Sequence, residues 1–317
     1  MSEAPDRKPP PIPQGHRSNS PLANGAARLT LGLVWLVHWL PMAWQDRLGK
    51  ALGALLWRVG GSRRRTALRN LALCFPERPE AEREAIAREH FGWLGRSILE
   101  RGMLWYASAG RLKSLIHAEG EVDFAERHPG AVMWLVPHFL ALDVAGAATQ
   151  LCQKRWVASI YQSQSNPVFD QVMRAGRLRH GQGEVFARHG EGALPLVRSI
   201  KRGAAFFNLP DMDFGLRDAA FVPFFGVPAA TLLAPARMAR SLKMTVQPVV
   251  AEMLPGGAGW RVRFLPPWHD FPGEDELAAT RRVNAWIEDE IRRNPAQYLW
   301  VHRRFKTRPP GEAPLYG

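Results

Sequence analysis

Six consecutive apolar residues, Ala131-Val132-Met133-Trp134-Leu135-Val136, are bounded by Pro129-Gly130 on one side and Pro137 on the other. The run is too short for an ordinary helix, and it shows no polar alternation, so both of its faces must be covered. This is the pattern of a strand buried inside a largely parallel sheet with helices on either side. The flanking sequence supplies those layers. Residues 79–108 place Glu80, Glu82 and Glu84 in the first turns and Ile86, His90, Phe91, Leu94, Ile98 and Leu99 along one face, which predicts a helix. Residues 139–153, 167–177 and 231–242 read as helices, and 155–161 and 204–209 as strands. Residues 244–252 and 260–265 read as paired strands around Pro255-Gly256-Gly257, and 275–293 as a last helix stopped by Asn294-Pro295. The predicted fold class is α/β, a mixed sheet flanked by helices.

The N-terminal region has a different composition. Residues 1–24 are rich in Pro, Ser, Asn and charge and cannot bury enough apolar surface to order themselves. Residues 29–44 then contain no Asp, Glu, Lys or Arg, but they do contain His38 and Pro41. A membrane span needs roughly 20 apolar residues, and basic residues lie on both sides of this run, at Arg28, Arg47, Lys50 and Arg58. A buried core helix, a single span and an interfacial anchor all fit the local pattern. Trp35, Trp39 and Trp44 with their Arg flanks favour the anchor. The expected organisation is a disordered tail over 1–27, a membrane-associated helical anchor over 28–60 and a catalytic domain over 61–310.

Charge narrows the partners. Lys and Arg number 42 against 29 Asp and Glu, a formal net charge of +13. Such a balance suits nucleic acid or an anionic lipid surface. No nucleic-acid motif accompanies it. Cys74 and Cys152 stand far apart, so neither a disulfide framework nor a zinc ribbon is indicated.

Three segments carry candidate chemistry. His138 directly follows the buried strand, and Asp143 stands five positions later at the start of a predicted helix. Ligands and catalytic groups of α/β folds gather at such strand ends. A carboxylate on one imidazole nitrogen fixes the tautomer and raises the basicity of the other, so the pair could deprotonate an alcohol. It could equally be a structural capping pair. Asp211 and Asp213, in Leu209-Pro210-Asp211-Met212-Asp213-Phe214-Gly215, could orient arginines, bind a metal or form an Asp-rich turn. Downstream, Phe224-Phe225-Gly226 reads as core packing or as a wall for an acyl chain. Arg303, Arg304, Lys306 and Arg308 near the C-terminus, like Arg174, Arg177 and Arg179, could form a solvated surface, a nucleic-acid patch or a phosphate clamp. A G-x-S-x-G elbow, H-E-x-x-H, a Walker A motif and a complete G-x-G-x-x-G are all absent from the sequence.

Together these segments resemble the late lipid A biosynthesis acyltransferases, of the lauroyl and myristoyl transferase type. The likeness covers about 28–309. It rests on His138-x4-Asp143 after the strand, NPVFDQVMRAGRLR at 166–179, LPDMDFG with the later FVPFFG, and QYLWVHRRFKTRP at 297–309, with RNLALCFPE at 69–77. Where family members often have Tyr-Arg-Pro, this chain has Tyr161-Gln162-Ser163.

The resemblance implies a glycerolipid-acyltransferase-like α/β fold with a membrane-associated N-terminal helix, at the cytoplasmic face of the bacterial inner membrane. It implies transfer of a fatty acyl group from acyl carrier protein to a hydroxyl of a lipid A precursor in lipopolysaccharide biosynthesis. No metal or organic cofactor and no nucleic acid is implied. His138 would be the general base and Asp143 its orienting carboxylate, with Arg177, Asp211, Asp213, Arg303 and Arg304 binding substrate. Another membrane lipid, a lysophospholipid or glycolipid, is the alternative acceptor. A non-catalytic basic RNA- or membrane-binding protein would account for the charge but not for His138 and Asp143 at a strand end.

Overall fold

The computed structural model describes residues 20–188 and 193–317, so residues 1–19 of the expected tail lie outside the described residues. The chain opens with four helices: α1 (Pro21–His38), α2 (Met42–Val59), α3 (Gly61–Cys74) and the long α4 (Glu80–Tyr106). Then come α5 (Ala109–Leu115), β1 (Ile116–Gly120), α6 (Phe124–Arg127), β2 (Val132–Leu135), α7 (Leu142–Cys152), β3 (Val157–Tyr161), α8 (Pro167–Arg177) and β4 (Gly183–Ala187). After α9 (Leu194–Lys201) and β5 (Ala205–Asn208), a hairpin of β6 (Ala219–Phe224) and β7 (Val227–Leu232) leads into α10 (Ala234–Ser241). The chain continues through β8 (Thr245–Met253), β9 (Trp260–Phe264) and α11 (Glu276–Arg293).

Seven strands form one sheet in the order β1-β9-β8-β2-β5-β3-β4. All pairs are parallel except β8 with β9, so the sheet is mixed, as predicted. The apolar run at 131–136 supplies β2, held between β8 and β5, and Val132, Met133, Trp134 and Leu135 are fully buried. Alternation along this strand sends its side chains into two separate cores. Met133 and Leu135 join Phe206, Phe91, Leu71 and Ile287 on one face. Val132 and Trp134 join Phe207, Trp105, Val144 and Trp260 on the other. Full burial of side chains of this kind is worth about 1.5–3 kcal/mol each, which is why the strand tolerates no polar position. The single indole N–H of Trp134 donates to the Gln247 side chain at 3.0 Å.

The N-terminal expectation is corrected. Among the described residues no helix is long and apolar enough to cross a membrane. The apolar run divides because Pro41 bars Leu40 from continuing the helix, leaving α1 and α2 as separate elements. The expected tail residues 21–27 already belong to α1. Helix α2 lies against α4 with the two backbones in contact. A Cβ on Gly53 would come within 2.1 Å of the Phe91 carbonyl oxygen, and one on Gly95 within 2.2 Å of that of Gly49. Below this contact Arg96, fully buried, donates to Asp46 of α2 at 3.1 Å, to the Leu254 carbonyl at 2.6 Å and to Glu100. Residues 28–60 are thus built into the same body as the rest. The expected membrane-associated helix, and the inner-membrane placement attached to it, are corrected by the first of these findings, that no described helix is long and apolar enough to cross a membrane.

Smaller differences concern short elements. Residues 231–232 finish β7, so the helix expected over 231–242 begins only at Ala234. The β6–β7 hairpin, β1 and β4 carry no clear periodicity in sequence. The hairpin turns on Phe225 and Gly226 with φ of 50° and 75°, the left-handed pair of a two-residue turn. Phe224 is fully buried among Phe225, Tyr298 and Phe305, so its part is core packing rather than an acyl wall.

Candidate active site

Strands β2 and β5 are parallel neighbours, with Leu135 opposite Asn208. His138 and Asp211 each lie three residues beyond those partners, at the carboxyl ends of the two strands. The Val136 N–H donates to the Asn208 carbonyl at 2.9 Å and carries the pairing one step further. The His138 backbone N–H then donates to Asp211 Oδ2 at 2.9 Å, and Nδ1–H donates to Asp211 Oδ1 at 2.7 Å. The carboxylate therefore fixes both the backbone and the ring of His138. The tautomer with hydrogen on Nδ1 leaves a lone pair on Nε2.

Asp211 is 1% exposed. Burial alone would raise its carboxyl, but the His138 imidazole and its two hydrogen bonds, together with the Tyr298 hydroxyl, outweigh it and hold the group below its ordinary value. Tyr298 is pushed well up by burial and by the Asp211 charge, so it stays a protonated donor. Its segment pairs directly with the loop after β2: Leu299 N–H donates to the His138 carbonyl at 3.0 Å, and Leu140 N–H to that of Gln297 at 2.8 Å. His138, Asp211 and Tyr298 thus form one continuous chain of hydrogen bonds.

Asp143, which the resemblance implies as the orienting carboxylate, makes no hydrogen bond to His138 among the described residues. It lies in the first turn of α7, and its Oδ1 accepts from Arg177 Nε at 3.0 Å, with Arg177 Nη2 at 2.9 Å. Arg101 of α4 stands 3.8 Å from Oδ2. Burial raises this carboxyl, while Arg177, Arg101 and His138 prevail and lower it. The second block supplies this partnership. Asn166 caps α8 by accepting from Val168 and Phe169, and Pro167 takes the first helical position. Gly176 allows α8 to close on Trp105, where a Cβ would come within 2.2 Å of the indole. The helix therefore ends with Arg177 beside Asp143. A cleft opens between α7, α8 and β3, lined by Leu104, Ala147, Val157, Leu178 and Phe207 with Asp143 and Arg177.

The remaining expected substrate-binding residues are placed elsewhere. Asp213 accepts from Thr307 N–H at 2.6 Å, Thr307 hydroxyl at 2.8 Å and Gly215 N–H at 2.9 Å, which pins its loop to the C-terminal segment. Asp211 and Asp213 have separate partners and do not act as a pair. Arg304 is 2% exposed and donates to the Ala230 carbonyl and the Thr231 hydroxyl at 2.9 and 2.8 Å. It braces the hairpin and is not free to clamp a phosphate. Arg303 is exposed and stacks over Tyr316. The RNLALCFPE block serves the same region: Asn70 donates to the carbonyls of Trp300 and His302, both at 2.7 Å. Tyr298 and Arg101 are brought to the site by the fold alone. Tyr298 stands inside the C-terminal block, while Arg101 had no local signal at all.

Comparison with known proteins bears on the chain as a whole rather than on these residues. The model of the bacterial lipid A biosynthesis acyltransferases matches residues 13–307. The chain belongs to this family. The palmitoleoyltransferase of lipid A biosynthesis from Escherichia coli K12 is 33% identical over 90% of the chain and 92% of its own length. The lauroyltransferase of the same organism is 32% identical over 91% and 94%, and the myristoyltransferase 34% identical over 87% and 85%. The chain is therefore an acyltransferase of lipid A and lipopolysaccharide biosynthesis. The three relatives differ in the acyl group they are named for yet are almost equally similar to this one.

Proposed function

We propose that the enzyme moves a fatty acyl group, of the lauroyl–myristoyl type, from acyl carrier protein to a hydroxyl of a lipid A precursor, with His138 as general base. The observation that carries this reading is the Asp211 carboxylate on His138 Nδ1. Nε2 takes the proton of the acceptor hydroxyl, whose oxygen attacks the thioester carbonyl. The tetrahedral oxyanion collapses, the C–S bond breaks, and the imidazolium returns its proton to the departing thiolate. A covalent acyl-enzyme is not required. Asp211 acts as positioning residue, keeping the ring in the productive tautomer and stabilising the imidazolium. The apolar cleft beside Asp143 and Arg177 suits the acyl chain, and Arg177 suits a developing or standing negative charge at its edge.

The test uses purified protein, acyl carrier protein thioesters of several chain lengths and the tetraacylated, Kdo-modified lipid A precursor. Transfer by the wild type and its loss in His138→Ala, with unchanged circular dichroism, are the expected results. Near-wild-type turnover by His138→Ala would remove His138 from the role of base. Transfer to lysophospholipid or another glycolipid in preference to the lipid A precursor would replace the proposed acceptor.

A further inference from the structure

Arg101 has no role in the chemistry above, yet its setting is unusual. It extends from α4 at the site, and among the described residues its one charged partner is Asp143, at 3.8 Å. That distance is beyond a good hydrogen bond. Asp143 has already accepted Arg177 at 2.9 Å. Two guanidinium groups therefore share one carboxylate, which leaves one net positive charge. Both side chains reach solvent: 42% of Arg101 and 31% of Arg177 is exposed, against 18% of Asp143. The surplus charge is thus accessible from outside, and among the described residues the Arg101 fork makes no hydrogen bond.

Its base is rigid. Glu100, the preceding residue, is 2% exposed and accepts from Trp260 Nε1 at 2.7 Å and from Arg96, which is itself anchored to Asp46 and Leu254. A buried network thus fixes the turn of helix from which Arg101 projects, as a supporting shell does for a binding group. Asp143 and Leu104 line both the apolar cleft and a second small cavity that Arg101 lines, so Arg101 stands where the two meet.

We infer that Arg101, together with Arg177, binds a phosphate group of a substrate and thereby positions that substrate against His138. A tetrahedral phosphate oxygen pair fits an Arg fork in bidentate fashion. The single surplus charge matches the one charge of a phosphodiester and offsets part of the nearly two charges of a phosphomonoester. The inference rests on the proposed reaction, in which two substrates carry such a group: the phosphodiester of a pantetheine-linked donor and the sugar phosphates of the glycolipid acceptor.

The experiment measures kcat and KM for the wild type, Arg101→Gln and Arg101→Lys. Donors are acyl-phosphopantetheine and acyl-pantetheine, and acceptors are the bis-phosphorylated precursor and its singly dephosphorylated forms. Arg101→Gln is expected to raise KM about tenfold or more for one phosphate-bearing substrate, the scale of a lost charge-assisted hydrogen bond, with kcat nearly unchanged. The difference should vanish when that one phosphate is absent, which identifies its source as donor or acceptor. Arg101→Lys, which keeps the charge without the fork, should recover part of the loss. A loss of equal size with every substrate form, a loss confined to kcat, or no loss in a folded Arg101→Gln protein overturns the inference. A wild-type enzyme inactive on all lipid A precursors would instead overturn the proposed reaction, so the two failures are distinguishable.

Discussion

Two acidic groups flank the same imidazole and are handled in opposite ways. Asp211 is 1% exposed, and its oxygens accept from the backbone of His138, the ring of His138 and the hydroxyl of Tyr298. Asp143 is partly open to solvent and faces two arginines whose donors are not all used. The first group is completed by the fold itself. The second is left incomplete and is ready for something the fold does not supply. Buried, fully satisfied polar networks hold one geometry, whereas an ion pair that reaches solvent is weaker, partly screened by salt and more easily rearranged. One site therefore holds a fixed part that sets the proton acceptor and an adaptable part that meets the substrate.

The sharpest way to break this comparison is Asp211→Asn. It keeps the shape but can present an N–H to the imidazole, so turnover should fall about 10³–10⁴-fold, read as kcat at saturating substrates. An effect below that of Asp143→Asn would mean that the roles are exchanged.

Acid tests the buried side next. His302 accepts from the Asp213 N–H at 3.3 Å, and burial, then the neighbouring His138 and Arg304 charges, push it from 6.5 down to about 4. Between those values the unfolded chain binds more protons than the folded one, so stability rises with pH across this window. The contribution is complete above the ordinary histidine value and is lost as pH falls towards the lower one. It amounts to roughly 3 kcal/mol at most. His302→Gln should flatten the fall in Tm between pH 7 and pH 4. His90, also at about 4, lies away from the site and leaves the same residual slope in both proteins. Equal slopes for wild type and variant would contradict the assignment to His302.

Asp143→Asn should cost less than the Asp211 change, about tenfold in kcat/KM, because Arg177 and Arg101 remain in place. Its penalty should shrink in high salt, where the partly exposed pair is partly screened; a salt-independent penalty would place Asp143 with the buried group. Tyr298→Phe is expected to cost least, at most about tenfold in kcat, since Asp211 retains both His138 donors. A loss as large as that of Asp211→Asn would show that the chain of hydrogen bonds fails as a unit.

Much of this arrangement was legible in the sequence. The buried strand, the helix over 167–177 and the position of His138 at a strand end follow from local pattern, because each is set by periodicity, capping or chain punctuation within a few residues. The partner of His138 was not legible in the same way. Asp143 is near in sequence, but α7 begins at Leu142 and carries it towards Arg177. Asp211 is 73 positions away and becomes a neighbour only because β5 pairs with β2. Arg304 shows the same limit from the other side. A cluster of cations reads as a binding patch, and nothing local reveals that one of them is enclosed by a hairpin. The N-terminal segment misled for a similar reason: nothing local to its apolar run shows that, just beyond it at Gly49 and Gly53, the backbone of α2 touches that of α4.

The pairing of β2 with β5, and the return of Tyr298 to the loop after β2, have a consequence for synthesis on the ribosome. His138 emerges early, Asp211 later and Tyr298 later still. Contacts so distant along the chain form only after much of the sheet has assembled. A partly translated chain can hold the base in an almost finished strand and yet lack both the carboxylate and the hydroxyl that orient it. Catalytic competence would then arrive at one late moment, after the surrounding body has closed, and a prematurely terminated chain would leave an inert product.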